Sequence, residues 1–138
     1  MVIDLDIRAK QITKISISIV TFNYPIADLI RCLESIVASI KNYQSLTGTS
    51  YRAPVAVFNN GSEEISKNAI LRAFIFRHRT SPCEFHIIEG QENLGYGSAQ
   101  NVAISRVLAG SEVHVIMNPD IIVGAGAIAA GMAFLTEN

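Results

Sequence analysis

Residues Ile15-Ser16-Ile17-Ser18-Ile19-Val20 alternate apolar and polar side chains and are rich in β-branched residues, the two-residue period of a strand. Pro25 suits the first turn of a helix, where its missing N–H does little harm. Ile26, Leu29, Ile30, Leu33, Ile36, Val37 and Ile40 then recur at spacings of three and four, which predicts a long amphipathic helix ending before Asn42, with a loop around Gly48. Pro54 precedes Val55-Ala56-Val57-Phe58, an apolar run short enough to be a second, buried strand rather than a helix. Asn59-Asn60-Gly61 is its turn. Ser62 is the expected N-cap of the next helix, with Glu63 and Glu64 at the positive end of its dipole and its body running towards Phe76. Ser81-Pro82 breaks the chain before a third strand, Phe85-His86-Ile87-Ile88. From about Ser98 to Leu108 a helix sets Ala99, Val102, Ala103 and Val107 on one face, and Gly110 ends it before a fourth strand, Val113-His114-Val115-Ile116. Strands alternating with helices in this way predict an α/β fold with a mostly parallel sheet and right-handed crossovers.

The length of 138 residues fits one domain with a real core, and the formal net charge of −1 supplies no general drive towards nucleic acid or an anionic membrane. Arg72, Arg77, His78 and Arg79 cluster where cations complement a helix C-terminus, and read as a solvated basic end. Cys32 and Cys83 belong to no CxxC or Cys/His cluster, so two reduced thiols are expected. His86 and His114 alternate with apolar neighbours, have no partner nearby in sequence, and read as structural. Met1-Val2-Ile3-Asp4-Leu5-Asp6 lacks the basic region and apolar run of a secretory leader. Charged and polar residues keep every apolar stretch below the roughly 18 to 20 residues that cross a bilayer, and Ile121–Leu135 is too short and too rich in Gly and Ala.

Candidate chemistry lies at the strand ends. Met117-Asn118-Pro119-Asp120 puts an acid where the fourth strand runs out, and Thr21-Phe22-Asn23, Asn59-Asn60-Gly61-Ser62 and Asn93-Leu94-Gly95-Tyr96-Gly97 punctuate the other three. Ligands of open α/β sheets gather at these ends, so four polar ends point to one shared site. Gly95 and Gly97 stand between a strand and a helix, where small residues let backbone N–H groups approach a phosphate. They do not form GxGxxG, because Gln100 holds the last position, and no acid is placed for a dinucleotide ribose; a dinucleotide-dependent oxidoreductase is disfavoured. A purely structural α/β domain would leave the four polar ends unexplained.

Taken in order, Ile17-Ser18-Ile19-Val20-Thr21-Phe22-Asn23-Tyr24-Pro25 with Leu33-Glu34-Ser35-Ile36, then Val57-Phe58-Asn59-Asn60-Gly61-Ser62, Glu92-Asn93-Leu94-Gly95-Tyr96-Gly97-Ser98-Ala99-Gln100-Asn101 and Met117-Asn118-Pro119-Asp120 resemble family-2 glycosyltransferases. The resemblance spans about Ile15 to Met132, and the Asn-Leu-Gly-Tyr-Gly and Asn-Pro-Asp variants are most similar to the rhamnosyltransferase-like branch, which acts on bacterial surface polysaccharides. It implies a Rossmann-like GT-A nucleotide-binding sheet with helices on both faces, and a hexosyltransferase using a UDP- or dTDP-sugar, dTDP-rhamnose among them. Thr21, Phe22 and Asn23 would hold base and ribose, and Asn59 beside Gly61 would face the base. Asn93, Gly95, Tyr96, Gly97 and Asn101 would line the sugar-nucleotide pocket, together with Asn118. Asp120 matches the last carboxylate of the family's DxD element and would bind Mn²⁺ or Mg²⁺ bridging the diphosphate; Asn118, whose carbonyl can also ligate, stands where many relatives carry an acid.

Most relatives have Asp at the place of Asn59. The family's general base and acceptor-binding half follow the DxD element, whereas this sequence stops at Asn138, 18 residues beyond Asp120. The expectation is therefore one domain, residues 1–138, forming the N-terminal donor-binding half of a longer enzyme, inactive in transfer on its own, with no catalytic residue assigned. Were the base to come from an earlier loop, Glu92 is the first candidate. The alternative is a non-catalytic nucleotide-sugar-binding remnant. The implied partners are the donor and a saccharide or lipid-linked acceptor, in the cytoplasm or at the inner face of the membrane, with no nucleic acid and no assigned oligomeric state.

Overall fold

The computed structural model of the protein describes residues 11–137; the N-terminal stretch read for a leader lies outside the described residues. The elements are β1 (Ile15–Thr21), α1 (Ile26–Thr47), β2 (Ala53–Asn59), α2 (Ala69–Arg77), β3 (Cys83–Glu89), α3 (Tyr96–Val107), β4 (Val113–Met117) and α4 (Ala127–Glu137). All three strand pairings are parallel and the sheet order is β3-β2-β1-β4. The chain thus steps outward from β1 to β3 and then returns to the far side of β1. If every crossover keeps one hand, that reversal must carry the connecting helix to the opposite face. The packing agrees: Ile15, Ile17 and Ile19 of β1 share a core with α1, α2 and α4, while Val20, Ala56, Phe58 and Ile88 pack on Ala99, Ala103 and Val107 of α3.

Both faces of β1 are therefore covered. Ser16 and Ser18 are fully buried rather than solvated, although they occupy the polar phase of the alternation. Helix α1 runs past Asn42 to Thr47, longer than the periodicity of aliphatic residues alone suggests. Tyr43 continues the buried stripe and donates its hydroxyl to the carbonyl of Ile12, and Gly48, left-handed at φ 72°, closes the helix through its N–H to Gln44 O.

Helix α2 begins later than Ser62. Its cap is Asn68, whose carbonyl oxygen accepts from the amides of Ile70 and Leu71 at 2.9 and 3.1 Å. The intervening segment is held as a loop by Glu89 Oε1, which accepts from the amides of Ile65 and Ser66, both at 2.9 Å. At the other end of α2 the Arg79 guanidinium lies 4.1 Å over the Phe76 ring, so the basic cluster is partly self-engaged. Glu112 joins the beginnings of β1 and β4, accepting from the amides of Thr13 and Lys14, which hold its carboxyl below the usual range. The thiols of Cys32 and Cys83 are free and buried, and burial pushes them up to about 11 and about 12. No helix among the described residues is long and apolar enough to cross a membrane.

Candidate functional site

Because β2 and β4 lie on opposite sides of β1, the sheet has its topological switch between β1 and β4, and the carboxyl ends of the strands there are where open α/β sheets take their ligands. Two clefts meet there at Tyr24. One, of about 490 Å³, is lined by Thr21, Asn23 and Asn59 with the 62–65 loop and Asn68. The other, of about 620 Å³, is lined by Asp28, Arg31, Glu34, Ser35, Asp120 and Ile122. Serines of α1 hold the segment after β4 in place: Ser35 Oγ accepts from Val123 N at 2.9 Å, and Ser39 Oγ from Ile128 N at 3.3 Å. The Cys32 thiol donates to the carbonyl of Asn118 at 3.8 Å. Burial first, and then the carboxylates of Asp28 and Asp120, raise the Tyr24 phenol above its ordinary value.

Thr21 carries the most telling atom in the first cleft. It is 2% exposed, and its hydroxyl is the sole buried side-chain polar atom without a hydrogen-bond partner among the described residues. Such an orphan is costly unless a ligand or water satisfies it. Phe22 is exposed beside it. Asn23 adopts φ 49°, and its carbonyl oxygen accepts from Ser62 N at 3.3 Å. Gly61 packs so closely beneath it that a Cβ would come within 2.5 Å of that oxygen.

Asn59, expected to face the base, is also 2% exposed, and its amide is engaged by the protein. Nδ2 donates to Glu63 O at 2.6 Å and to Glu89 Oε2 at 2.9 Å, while Oδ1 accepts from Gly61 N at 3.0 Å. Its neighbour Asn60, which carries no role in the sequence reading, links the β2 and β3 ends: Nδ2 donates to Asn93 Oδ1 and Oδ1 accepts from Leu94 N, both at 2.9 Å. Asn93 Oδ1 in turn accepts from Gly95 N at 2.8 Å.

Gly95 has φ 78° and ψ 162°, a conformation open essentially to glycine alone, and it begins α3 with no side-chain cap. The first amides of α3 are thus left for solvent or a ligand. A Cβ at Gly97 would meet no protein atom within 4 Å, so whatever favours glycine there is not the fold itself. Asn101 is exposed on α3, and its side chain makes no hydrogen bond among the described residues.

Tyr96 and Asn118 are brought together, since the tyrosine hydroxyl donates to Asn118 Oδ1 at 2.8 Å. Gln100 Nε2 donates to that hydroxyl at 3.1 Å and its Oε1 accepts from Ser18 Oγ at 2.7 Å; the His114 ring lies 2.7 Å from both Ser18 Oγ and Ser16 Oγ. These four partners were missed. The polar phase of β1 and the i,i+4 spacing of Tyr96 and Gln100 were available signals, but only pairing Ser16 with His114 in register brings them into one chain. His86 also has a partner, Glu84, at 2.8 Å. Two residues apart on one strand is the same face, so that partner was within reach of the period-two rule.

Of the expected metal site, Asp120 offers one exposed carboxylate, and no group of three or more His, Cys, Asp or Glu side chains suited to a metal occurs among the described residues. That donor set still fits Mg²⁺ or Mn²⁺, hard ions that take one or two carboxylates and complete their shell with substrate phosphates and water.

A parallel doubly wound sheet, with polar residues at its strand ends and a glycine-led helix after β3, defines an α/β fold of the GT-A, Rossmann-like kind. Residues 16–138 match the profile of glycosyl transferase family 2, and the protein belongs to that family. Family membership implies glycosyl transfer from a nucleotide-sugar donor to an acceptor, in a family that typically uses divalent cations. A search of curated proteins finds no match.

Proposed function

We propose that the crevice between β1 and β4 binds a UDP- or dTDP-sugar, and that the chain is the donor-binding half of a hexosyltransferase of the rhamnosyltransferase-like branch, acting at the cytoplasmic side on a saccharide or lipid-linked acceptor hydroxyl. The observation that carries the donor site is Thr21, which lines the cleft beyond β1 and whose buried hydroxyl has no partner among the described residues. Thr21 and Asn23 contact the base and ribose. Asn59 shapes the cleft from beneath, its amide holding Glu63, Gly61 and Glu89 in place. Gly95, Tyr96 and Gly97 present the start of α3 to the diphosphate, and Asn93 braces that turn. Phe22 and Asn101 border the pocket. Asp120 would hold the divalent cation, whose contribution when bound is to offset charge developing on the nucleoside-diphosphate leaving group. Residues 1–138 form one donor-binding domain and are proposed to bind donor without transferring sugar. A non-catalytic binding remnant is the alternative, favoured by amides at Asn59 and Asn118.

Calorimetric titration of UDP and dTDP with and without Mn²⁺ tests the site. Wild type is expected to bind, more tightly with Mn²⁺, and Asp120→Ala to lose the metal gain while keeping base recognition. Thr21→Val removes a hydroxyl that the protein does not use, so it should hold or raise the melting temperature yet weaken nucleotide binding about fivefold. No binding in any arm, or wild-type binding by Thr21→Val, would refute the site. Sugar transfer to an acceptor by the same preparation at ordinary enzymatic rates would refute the donor-half assignment.

A further inference from the structure

We propose that the Asn118 amide is fixed with its nitrogen towards the ligand, as a hydrogen-bond donor to a diphosphate oxygen rather than as a metal ligand, and that Ser16, at the buried end of the chain behind it, sets this orientation. The proposal rests on the nucleotide site proposed above and gives one of its residues a role opposite to the oxygen ligand implied by its place in the motif.

The chain runs Ser16, His114, Ser18, Gln100, Tyr96, Asn118, with every link between 2.7 and 3.1 Å. Each interior member can both donate and accept, so two polarities satisfy the interior equally well. In one, Ser16 donates to His114 Nδ1, Nε2–H donates to Ser18, Ser18 to Gln100 Oε1, Gln100 Nε2 to Tyr96, and Tyr96 to Asn118 Oδ1. In the other, every proton points back and the amides of Gln100 and Asn118 are flipped. The ends break the tie. Asn118 is exposed and can turn either polar atom to water. Ser16 is 0% exposed, and its hydroxyl has no hydrogen-bond partner but His114 among the described residues.

In the reversed polarity His114 Nδ1–H would donate to Ser16, leaving the serine proton buried with no acceptor. The first polarity leaves only lone pairs of the same oxygen unused, and an orphaned donor is the rarer and costlier of the two, which disfavours the reversed chain. Ser16 must therefore donate, His114 carries its proton on Nε2, and Asn118 Oδ1 is spent on Tyr96. Desolvation lowers the His114 pKa and keeps the ring in the neutral form that the chain requires. The planar amide of Asn118, two residues before Asp120, then keeps its two N–H donors for a ligand. Positive density from those donors suits a phosphate oxygen, while the cation is left to Asp120. Ser16 is a positioning residue, some distance from any ligand.

Long-range ¹H–¹⁵N correlation of the His114 ring, with UDP titrations by calorimetry, tests this. Wild type should show the Nε2–H tautomer, and Ser16→Ala a mixture of tautomers with UDP binding weakened a few-fold. Tyr96→Phe, on the exposed side, should leave the tautomer alone and weaken UDP similarly, which covers a failure of Ser16→Ala to fold. Asn118→Asp turns a carboxylate towards the phosphates and should weaken metal-free UDP binding roughly tenfold or more. An Nδ1–H tautomer in wild type would overturn the proposal alone, as would tighter Mn²⁺-dependent UDP binding by Asn118→Asp. Failure of wild type to bind UDP at all would overturn the nucleotide site, and the role of Asn118 in ligand binding with it.

Discussion

A side chain at residue 61 has nowhere to go, whereas one at residue 97 has open space, and the contrast separates folding from binding. A Cβ on Gly61 would stand 2.5 Å from Asn23 Oδ1 and 2.8 Å from Asn23 N, one of them backbone and unable to yield cheaply. Gly61→Ala should therefore cost about 1–3 kcal/mol in urea unfolding and disturb the Thr21–Asn23 turn, weakening nucleotide binding with it. Gly97→Ala lies in the first turn of α3 with nothing within 4 Å, so stability should hold or rise by up to about 1 kcal/mol. If α3 presents its amides to a diphosphate, the same variant loses UDP affinity in calorimetry; unchanged affinity would remove Gly97 from the phosphate site. Single residues at strand ends were legible as a set. Which partners each of two adjacent buried amides takes was not, because Asn59 and Asn60 are the same residue type and only the fold sends one to Glu63, Gly61 and Glu89 and the other to Asn93 and Leu94.

Among the elements, the start of α2 shows how tertiary contacts override a local signal. Ser62 followed by two acids is a good N-cap on paper, yet Glu89 captures the amides of Ile65 and Ser66 and delays the helix until Asn68. Asn68→Ala should cost about 1 kcal/mol of stability, as loss of an N-cap usually does, while Ser62→Ala should be near neutral. Denaturation midpoints of the two variants measure this directly, and a larger loss at Ser62 would mean that the helix begins there in solution. The C-terminus of α1 moved for a related reason: Tyr43 is aromatic and polar-tipped, so it does not register in an aliphatic stripe, but its buried ring extends that stripe by a turn.

At the scale of the whole molecule, stability should follow the protonation of its histidines. Desolvation lowers the pKa of His114, and desolvation with the Arg77 charge lowers that of His78. Both groups bind fewer protons folded than unfolded, so the stability that they favour is complete above the unfolded value of about 6.5 and declines as pH falls through the window below it. The urea midpoint should be lower at about pH 5.5 than at about pH 7.5, and His114→Gln should flatten part of that difference. An equal midpoint at both values for wild type would contradict the burial assigned to these rings. Further down, Glu112, held low by the Thr13 and Lys14 amides, adds to acid sensitivity as pH falls through the carboxylate range.

By itself the sequence determined the order of alternating strands and helices, the mostly parallel sheet, and the strand ends at which polar residues collect. Those follow from side-chain period and from the chemistry of Gly, Pro, Asn and Asp, which act within a few residues of themselves. Tertiary structure alone decided what those residues do. It put β4 beside β1 and so made the crevice, left Thr21 without a partner, closed the Asn59 amide upon Glu89, and threaded Ser16, His114, Ser18 and Gln100 behind Asn118. Hydrogen-bond satisfaction of buried groups is settled by neighbours far apart in sequence, Ser16 and His114 being 98 residues apart, and no local pattern along one chain encodes it.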